Sequence, residues 1–272
     1  MQQRYKMIER ENLISVIMGV HNGVSGLRNA IASITEQTYQ NWEFIICDDG
    51  SSDGSLRCLR EYKDDRRFII IQNNENMGLA ATLNHCIEYC GGEFIARMDA
   101  DDLSYPDRFE RQLKELHEHP EISFISSSAD IFNGAKITGR RILKRYPTKY
   151  DLIWNSAFIH PATMFRARDL RAVGGYRVAK ETVRGQDYDL FMRMYGAGYR
   201  GANLQEPVFR YTVDERNIRR RTFKARVGEA KIRKAGYKAM GIWPWAAPMT
   251  LKPFAAFVLT AIRAGLGRRK QS

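Results

Sequence analysis

Three aspartates fall within four residues at Asp99-Ala100-Asp101-Asp102, directly after the apolar run Phe94-Ile95-Ala96-Arg97-Met98. Carboxylates this close repel one another unless a cation sits among them, and hard oxygen donors suit a divalent metal. The run before them reads as a buried strand, so they emerge at its C-terminal end, where open α/β sheets place their ligands. Metal, carboxylates and sheet edge together point to a bound phosphate ester. A solvated Asp-rich turn is the reading this segment would also allow by itself. A second acidic cluster, Asp48-Asp49-Gly50-Ser51-Ser52-Asp53, closes the apolar stretch Trp42–Cys47.

The elements that must position these clusters follow a rhythm. Leu13–Val20 is a continuous apolar run closed by His21-Asn22-Gly23, a buried strand and a turn. Leu27, Ala30, Ile31 and Ile34 then keep helical spacing, with Ser25 as the cap. After the strand Trp42–Cys47, the pattern predicts a helix over Leu56–Tyr62, a strand over Phe68–Gln72 and a helix over Leu79–Cys90, ahead of the strand that carries Asp99. Alternation of this kind gives a mostly parallel sheet with helices on both faces over residues 13–130. Further on, the pattern predicts a helix over Asp107–His117, a strand over Ile122–Ser127, a helix over Tyr188–Tyr195 and a strand approached at Gln205–Tyr211.

The chain of 272 residues can bury a full core, and its net charge of +12 is unevenly spread. Glu215–Ser272 holds 15 Lys/Arg against 2 Asp/Glu, whereas residues 1–214 hold 28 against 29. A near-neutral body, 1–214, thus carries a basic segment, 215–272. That segment also holds Trp243, Trp245 and the apolar run Phe254–Ile262, followed by Arg263, Arg268, Arg269 and Lys270. The run is too short to span a bilayer but suits an anionic membrane surface better than nucleic acid. Cys47, Cys58, Cys86 and Cys90 lack metal-ligand spacing and read as reduced core thiols, and Met1–Asn12 has no apolar leader pattern. A cytoplasmic protein, peripheral on the inner face of the plasma membrane, is the expectation.

Set side by side, the two acidic clusters make the chain resemble the inverting, GT-A-fold glycosyltransferases of family 2. The resemblance runs on through Asn76-Met77-Gly78-Leu79-Ala80, Asn84, Pro106-Asp107-Arg108, His160-Pro161-Ala162-Thr163-Met164, Gly174-Gly175-Tyr176 and Gln186-Asp187-Tyr188-Asp189-Leu190. It covers residues 12–212. It implies an α/β fold with a Rossmann-like, mostly parallel sheet, a nucleotide-binding half at 13–130 and an acceptor half at 131–214, with the basic helical tail beyond. It also implies a nucleotide-sugar donor, a UDP-sugar first, a Mn²⁺ or Mg²⁺ cofactor, and a glycan or lipid-linked acceptor.

Residue by residue, the resemblance assigns base recognition to Asp48 and Asp49, either of which could accept from a ring N–H. Val20, His21 and Asn22 would wall the nucleoside, His21 standing where many relatives look to have tyrosine. Asn76 and Gly78 match an Asn-x-Gly turn in which glycine permits close approach to the nucleotide, a helix cap being the alternative. In Asp99-Ala100-Asp101, Asp101 is the leading metal ligand, while Asp99 touches the donor's ribose or sugar or shares the metal. Asp102 binds sugar hydroxyls or braces the loop. Inversion needs a base opposite the leaving group, and Asp187 matches it, with Gln186 where the family has glutamate. Should Asp187 not serve, Asp189 or Asp102 would be the base. Arg184 is a weaker candidate for holding phosphate, and His160 for the acceptor side. A nucleotidyltransferase, a non-catalytic nucleotide-sugar-binding protein and a nucleic-acid-binding protein are the rival readings.

Overall fold

The computed structural model describes residues 10–213 and 223–254. Its first elements are strand β1 (Arg10–Val20), helix α1 (Val24–Thr35), β2 (Trp42–Asp48), α2 (Ser55–Leu59), β3 (Phe68–Gln72), α3 (Leu79–Glu88) and β4 (Gly92–Arg97). Past the acidic cluster come β5 (Leu103–Ser104), α4 (Arg108–Glu118), β6 (Phe124–Ser127), β7 (Ala129–Phe132) and β8 (Ile137–Arg141). There follow β9 (Met164–Arg166), α5 (Ala167–Ala172), α6 (Gln186–Gly196), β10 (Gly201–Leu204), β11 (Phe209–Thr212) and α7 (Phe223–Ala239).

Seven strands form one sheet in the order β10-β6-β9-β4-β1-β2-β3, every pairing parallel except those that β9 makes with β4 and β6. A second sheet has the order β5-β11-β7-β8. Ile14, Val16 and Met18 of β1 pack with Phe44, Ile46 and Phe94 under Leu27 and Ile31 of α1 and Phe109 and Leu113 of α4. Ile17, Ile45 and Ile95 belong instead to a layer with Leu83 and Cys86 of α3 and Phe191 of α6. Burial on both faces is why these strands read as unbroken apolar runs. At about 1.5–3 kcal/mol for each large side chain fully buried, the two layers outweigh the repulsion of carboxylates crowded at the sheet edge, about 4 kcal/mol for a unit pair 4 Å apart near a surface.

The structure departs from the pattern at several places. Ser25 does not cap α1; Gly23 holds the N-cap position, and Asp53 accepts from the Val24 amide at 3.0 Å across the loops. The Leu56–Tyr62 helix divides into α2 and a 3-10 turn at Arg60–Tyr62. The strand expected from Ile122 begins at Phe124. No hydropathy signal marks β8, whose residues are all exposed, or β9, only three residues long and held between two neighbours.

The residues beyond 214 are not a separate appendage throughout. Ile232, Tyr237, Met240, Ile242 and Ala246 join the core layer under α6. The α6–α7 crossing is close: a Cβ on Gly236 would lie 2.3 Å from Met192 Sδ, and one on Gly196 would lie 2.9 Å from the Ala239 backbone. Buried Arg233 and the Tyr237 hydroxyl both donate to the Ile153 carbonyl, at 2.8 and 2.9 Å. The apolar run Phe254–Ile262 and the basic Arg263, Arg268, Arg269 and Lys270 lie outside the described residues, except for Phe254. Among the described residues no helix is long and apolar enough to cross a membrane. The four cysteines are free and buried.

Candidate functional site

Parallel pairing brings the ends of β1, β2 and β4 to one edge of the sheet, with Val20 opposite Asp48 and the Met98 amide donating to the Ile17 carbonyl. Val20 is buried, while His21 and Asn22 are exposed beyond it. The His21 ring is fixed by Nδ1 donating to the Asp49 carbonyl at 2.8 Å, which sets its tautomer. Asn22 adopts a left-handed backbone, φ +53°, and its side-chain oxygen accepts from the Ser52 amide at 2.8 Å.

The paired aspartates divide their work. Asp49 is buried and accepts from Asn73 Nδ2 at 2.8 Å, the Met77 amide at 2.8 Å and the Gly78 amide at 2.9 Å, so both its oxygens are occupied. Asp48 is buried too, with one oxygen accepting from the Ser51 amide at 3.1 Å and the other, Oδ1, without a partner. The Asn76 side chain accepts from the Gly78 amide at 3.0 Å, an Asx turn, and Gly78 itself is the N-cap of α3 at φ +83°. A Cβ there would meet nothing within 4 Å, so the glycine faces open space.

Side-chain oxygens of Asp99, Asp101 and Asp102 all lie within 4.8 Å of one another. Arg97, fully buried, donates to Asp99 at 2.5 Å and to the Met98 carbonyl. Asp102 is buried, with Oδ1 accepting from the Thr212 amide at 2.7 Å and Oδ2 unpartnered. Burial, reinforced by the charges of Asp99 and Asp101, pushes its carboxyl well above the ordinary range. Asp101 is exposed, and its carbonyl accepts from the Thr212 hydroxyl at 2.5 Å. A buried carboxylate oxygen with no donor, on a residue grouped with two further carboxylates, belongs to a donor set that fits a hard divalent cation.

Asp187 stands in the first turn of α6. It lines an open cleft of about 710 Å³ together with Asp99, His160, Arg184 and Tyr211. Burial raises the Asp187 carboxyl above its usual value against the opposing hydrogen bond from the Tyr188 amide, and the charge of Asp99 adds to the rise. His160 is buried on the Tyr176 hydroxyl at 2.7 Å; burial, with the Arg97 charge, holds its imidazole well below the usual range and therefore neutral. Asp189 is unsuited to act as a base, being clamped by Arg177 and Arg193 at 2.8 Å each. Asn84 is also structural, accepting from the Tyr176 amide at 2.8 Å and donating to its carbonyl at 2.7 Å.

The chain matches the family described as Glycosyl transferase family 2 over residues 15–174. It belongs to that family. Relatives include the protein EpsE of Bacillus subtilis (strain 168), 39% identical over 80% of this chain and 79% of its own length. Another is the Escherichia coli UDP-Glc:alpha-D-GlcNAc-diphosphoundecaprenol beta-1,3-glucosyltransferase WfgD, 32% identical over 53% of this chain and 56% of its own. Among solved structures, residues 1–349 of S. aureus TarS in complex with UDP-GlcNAc match with a TM-score of 0.68 at 16% identity, covering 84% of this chain and 70% of that one. The mannosyltransferase PcManGT from Pyrobaculum calidifontis, in complex with GDP-Man and Mn²⁺, matches with a TM-score of 0.65 at 19% identity, covering 93% and 79%. The GT-A fold implied by the motifs is the fold found.

In this family 2 glycosyltransferase several residues in or behind the cleft escaped the motif reading. Arg97 interrupts an otherwise apolar strand, and that out-of-pattern charge could have marked it as the partner of Asp99. Tyr211 and Arg141 reach the cleft from β11 and β8 and carry no local signal. The Tyr211 hydroxyl is pushed up to about 12 by burial and by the neighbouring carboxylates, so it stays protonated and able to donate.

Proposed function

We propose that this enzyme transfers a sugar, with inversion, from a UDP-sugar to a hydroxyl of a glycan or lipid-linked acceptor in the assembly of a surface polysaccharide. The observation that carries the reading is that one cleft unites Asp187, partly desolvated, with Asp99 of the acidic cluster. Asp187 would take the proton of the acceptor hydroxyl as its oxygen bonds to the anomeric carbon, while the bond to the nucleoside diphosphate breaks on the opposite face. Asp48, with an unpartnered buried oxygen, is the carboxylate suited to a ring N–H of the base; Asp49 holds the 76–78 turn beneath it. Val20, His21 and Asn22 wall the nucleoside, and Ala100 and Gly78 flank its phosphates.

Asp101 and Asp99 would hold the metal, with one carboxylate oxygen of Asp102 within the same group. A bound Mn²⁺ or Mg²⁺ would supply positive charge against the diphosphate as it leaves. Arg97 keeps Asp99 oriented from within the core. WfgD's name supports a UDP donor and a diphosphate-linked acceptor, and the Mn²⁺ complex of PcManGT supports a metal. A screen of UDP-, GDP- and dTDP-sugar hydrolysis with each divalent ion tests the proposal. UDP-sugar turnover that requires metal is expected; turnover unaffected by chelation, or none with any donor, would overturn it.

Attachment to an anionic membrane is part of the same reading. Tyr150, Trp154, Trp245 and Leu251 are exposed, and Lys149 and Lys252 lie over the rings of Tyr150 and Trp154, an aromatic and basic composition suited to an interface. Deleting residues 253–272 removes Arg263, Arg268, Arg269 and Lys270, each worth about 1 kcal/mol near an anionic leaflet. Co-sedimentation with phosphatidylglycerol vesicles should therefore fall markedly on deletion and with added salt. Equal partitioning of truncated and full-length chains would refute the role of the tail.

A further inference from the structure

We propose that a pocket between the start of α6 and α7, lined by Asp187 but by none of the clustered aspartates, binds the phosphate ester of the acceptor. The inference rests on the glycosyltransferase reading and names the substrate class it would use. The pocket encloses about 170 Å³ and shares Ser156, Arg184 and Asp187 with the main cleft. Three guanidinium groups line it, those of Arg184, Arg226 and Arg233.

Arg226 is the informative one. It is only 8% exposed, its Nε has no hydrogen-bond partner, and its contact with Glu229 is long at 3.5 Å. A buried guanidinium N–H left without an acceptor at the wall of a cavity is a group waiting for an anion. Arg184 is exposed and makes no ion pair among the described residues. Arg233 is fully engaged by Glu229 at 2.9 Å and by backbone carbonyls, so it frames the wall and leaves Glu229 as the single carboxylate shared with Arg226. With both Glu229 and Asp187 ionised, the three guanidinium groups still leave the lining of the pocket positive by one charge.

Position decides which anion this is. The donor's diphosphate would belong with the acidic cluster, where a metal would offset its charge, whereas none of Asp99, Asp101 and Asp102 lines this pocket, which meets the cleft at Ser156, Arg184 and Asp187. A sugar that offers one hydroxyl to Asp187 and carries phosphate on its anomeric oxygen would span from the cleft to Arg226. Guanidinium groups match phosphate oxygens in planar, paired hydrogen bonds. Trp154, exposed and one residue before pocket-lining Asn155, gives an apolar rim where a lipid chain attached to that phosphate could leave.

Calorimetric titration of inorganic pyrophosphate into the full chain in metal-free buffer tests this, because without metal the aspartate cluster repels anions. Binding is expected, weakened at least tenfold in Arg226→Met and at least threefold in Arg184→Gln. The Arg184→Gln variant decides the matter if Arg226→Met fails to melt cooperatively. Pyrophosphate affinity unchanged in both variants, or no binding to the parent, would overturn the proposal. UDP titrated with Mn²⁺ on the same preparations separates the two readings: absence of UDP binding in the parent defeats the donor reading, while intact UDP binding with unaltered pyrophosphate binding defeats only the pocket. Farnesyl diphosphate then distinguishes the source of the phosphate: affinity tenfold above that of pyrophosphate identifies a lipid-linked acceptor, and equal affinity a soluble sugar phosphate.

Discussion

The loops that end β1, β2 and β3 are knit together by hydrogen bonds among short neighbouring motifs, whereas the wall facing them is gathered from segments as distant in sequence as Arg141 and Arg233. On the first side, Asp49, Asn73 and Gly78 lock one another through backbone amides, and Asn22 and Asp53 tie the β1 loop to the β2 loop. On the second, Asp187 depends on α6 being seated by Arg177 and Arg193 around Asp189 and by α7 packing behind it. One side is a rigid cradle built by local chemistry, the other a surface set by packing. A cradle of that kind suits the invariant part of a donor, and a packed wall can change with the acceptor without disturbing it.

The largest effect should come from Asp101→Ala. Transfer should vanish and Mn²⁺-dependent UDP affinity should fall at least ~100-fold, since loss of a ligand exceeds the 10–100-fold typical of a supporting residue; melting should be unaltered because Asp101 is exposed. Donor titrations with and without Mn²⁺ check it, and unchanged affinity would dissolve the distinction between the two walls. Next is Asp187→Asn, expected to keep UDP affinity while lowering turnover by about 10²–10⁴. Initial rates at saturating donor measure it, and a loss under about tenfold would remove Asp187 from the role of base.

The pH profile sharpens the same point. Asp187 must be ionised to accept a proton, and burial raises its carboxyl above the ordinary value. Turnover should therefore decline on acidification at a pH higher than the ~3.9 of an unperturbed aspartate. The residual activity of Asp187→Asn should lack that acid limb.

Two substitutions compare cradle with wall by stability. Asp49→Asn replaces a charged acceptor of three hydrogen bonds by an amide with one acceptor oxygen, and should cost about 1–3 kcal/mol together with weaker UDP binding. Gly236→Leu overfills the α6–α7 crossing and should cost about 1–3 kcal/mol while leaving UDP affinity intact. Chemical denaturation alongside UDP titration reads both. If Gly236→Leu also weakened UDP binding, the two sides would not be independent.

Legibility followed the same division. The strands β1 to β4, the helices between them and the acidic clusters stood out because burial on both faces writes apolar runs and strand-end turns demand Asp, Asn and Gly at fixed offsets. Of the second sheet only β11 was legible, in the approach at Gln205–Tyr211, since β8 is exposed and β5 has only two residues. The motif around Asp187 was legible as a family resemblance, but its desolvation was not.

By itself the sequence determined the alternation of strand and helix, the placing of both acidic clusters at one sheet edge and the uneven charge, each of which depends on residues close together along the chain. Only the tertiary structure decided that Asp49 is saturated while Asp48 keeps a bare oxygen, and that Asp189 is clamped while Asp187 opens on the cleft. It also decided that Ile232, Tyr237, Met240, Ile242 and Ala246 of the basic segment join the core, bringing Arg226 into one pocket with Asp187. Hydrogen-bond saturation and desolvation are set by which distant groups meet, and no local pattern in a chain records that.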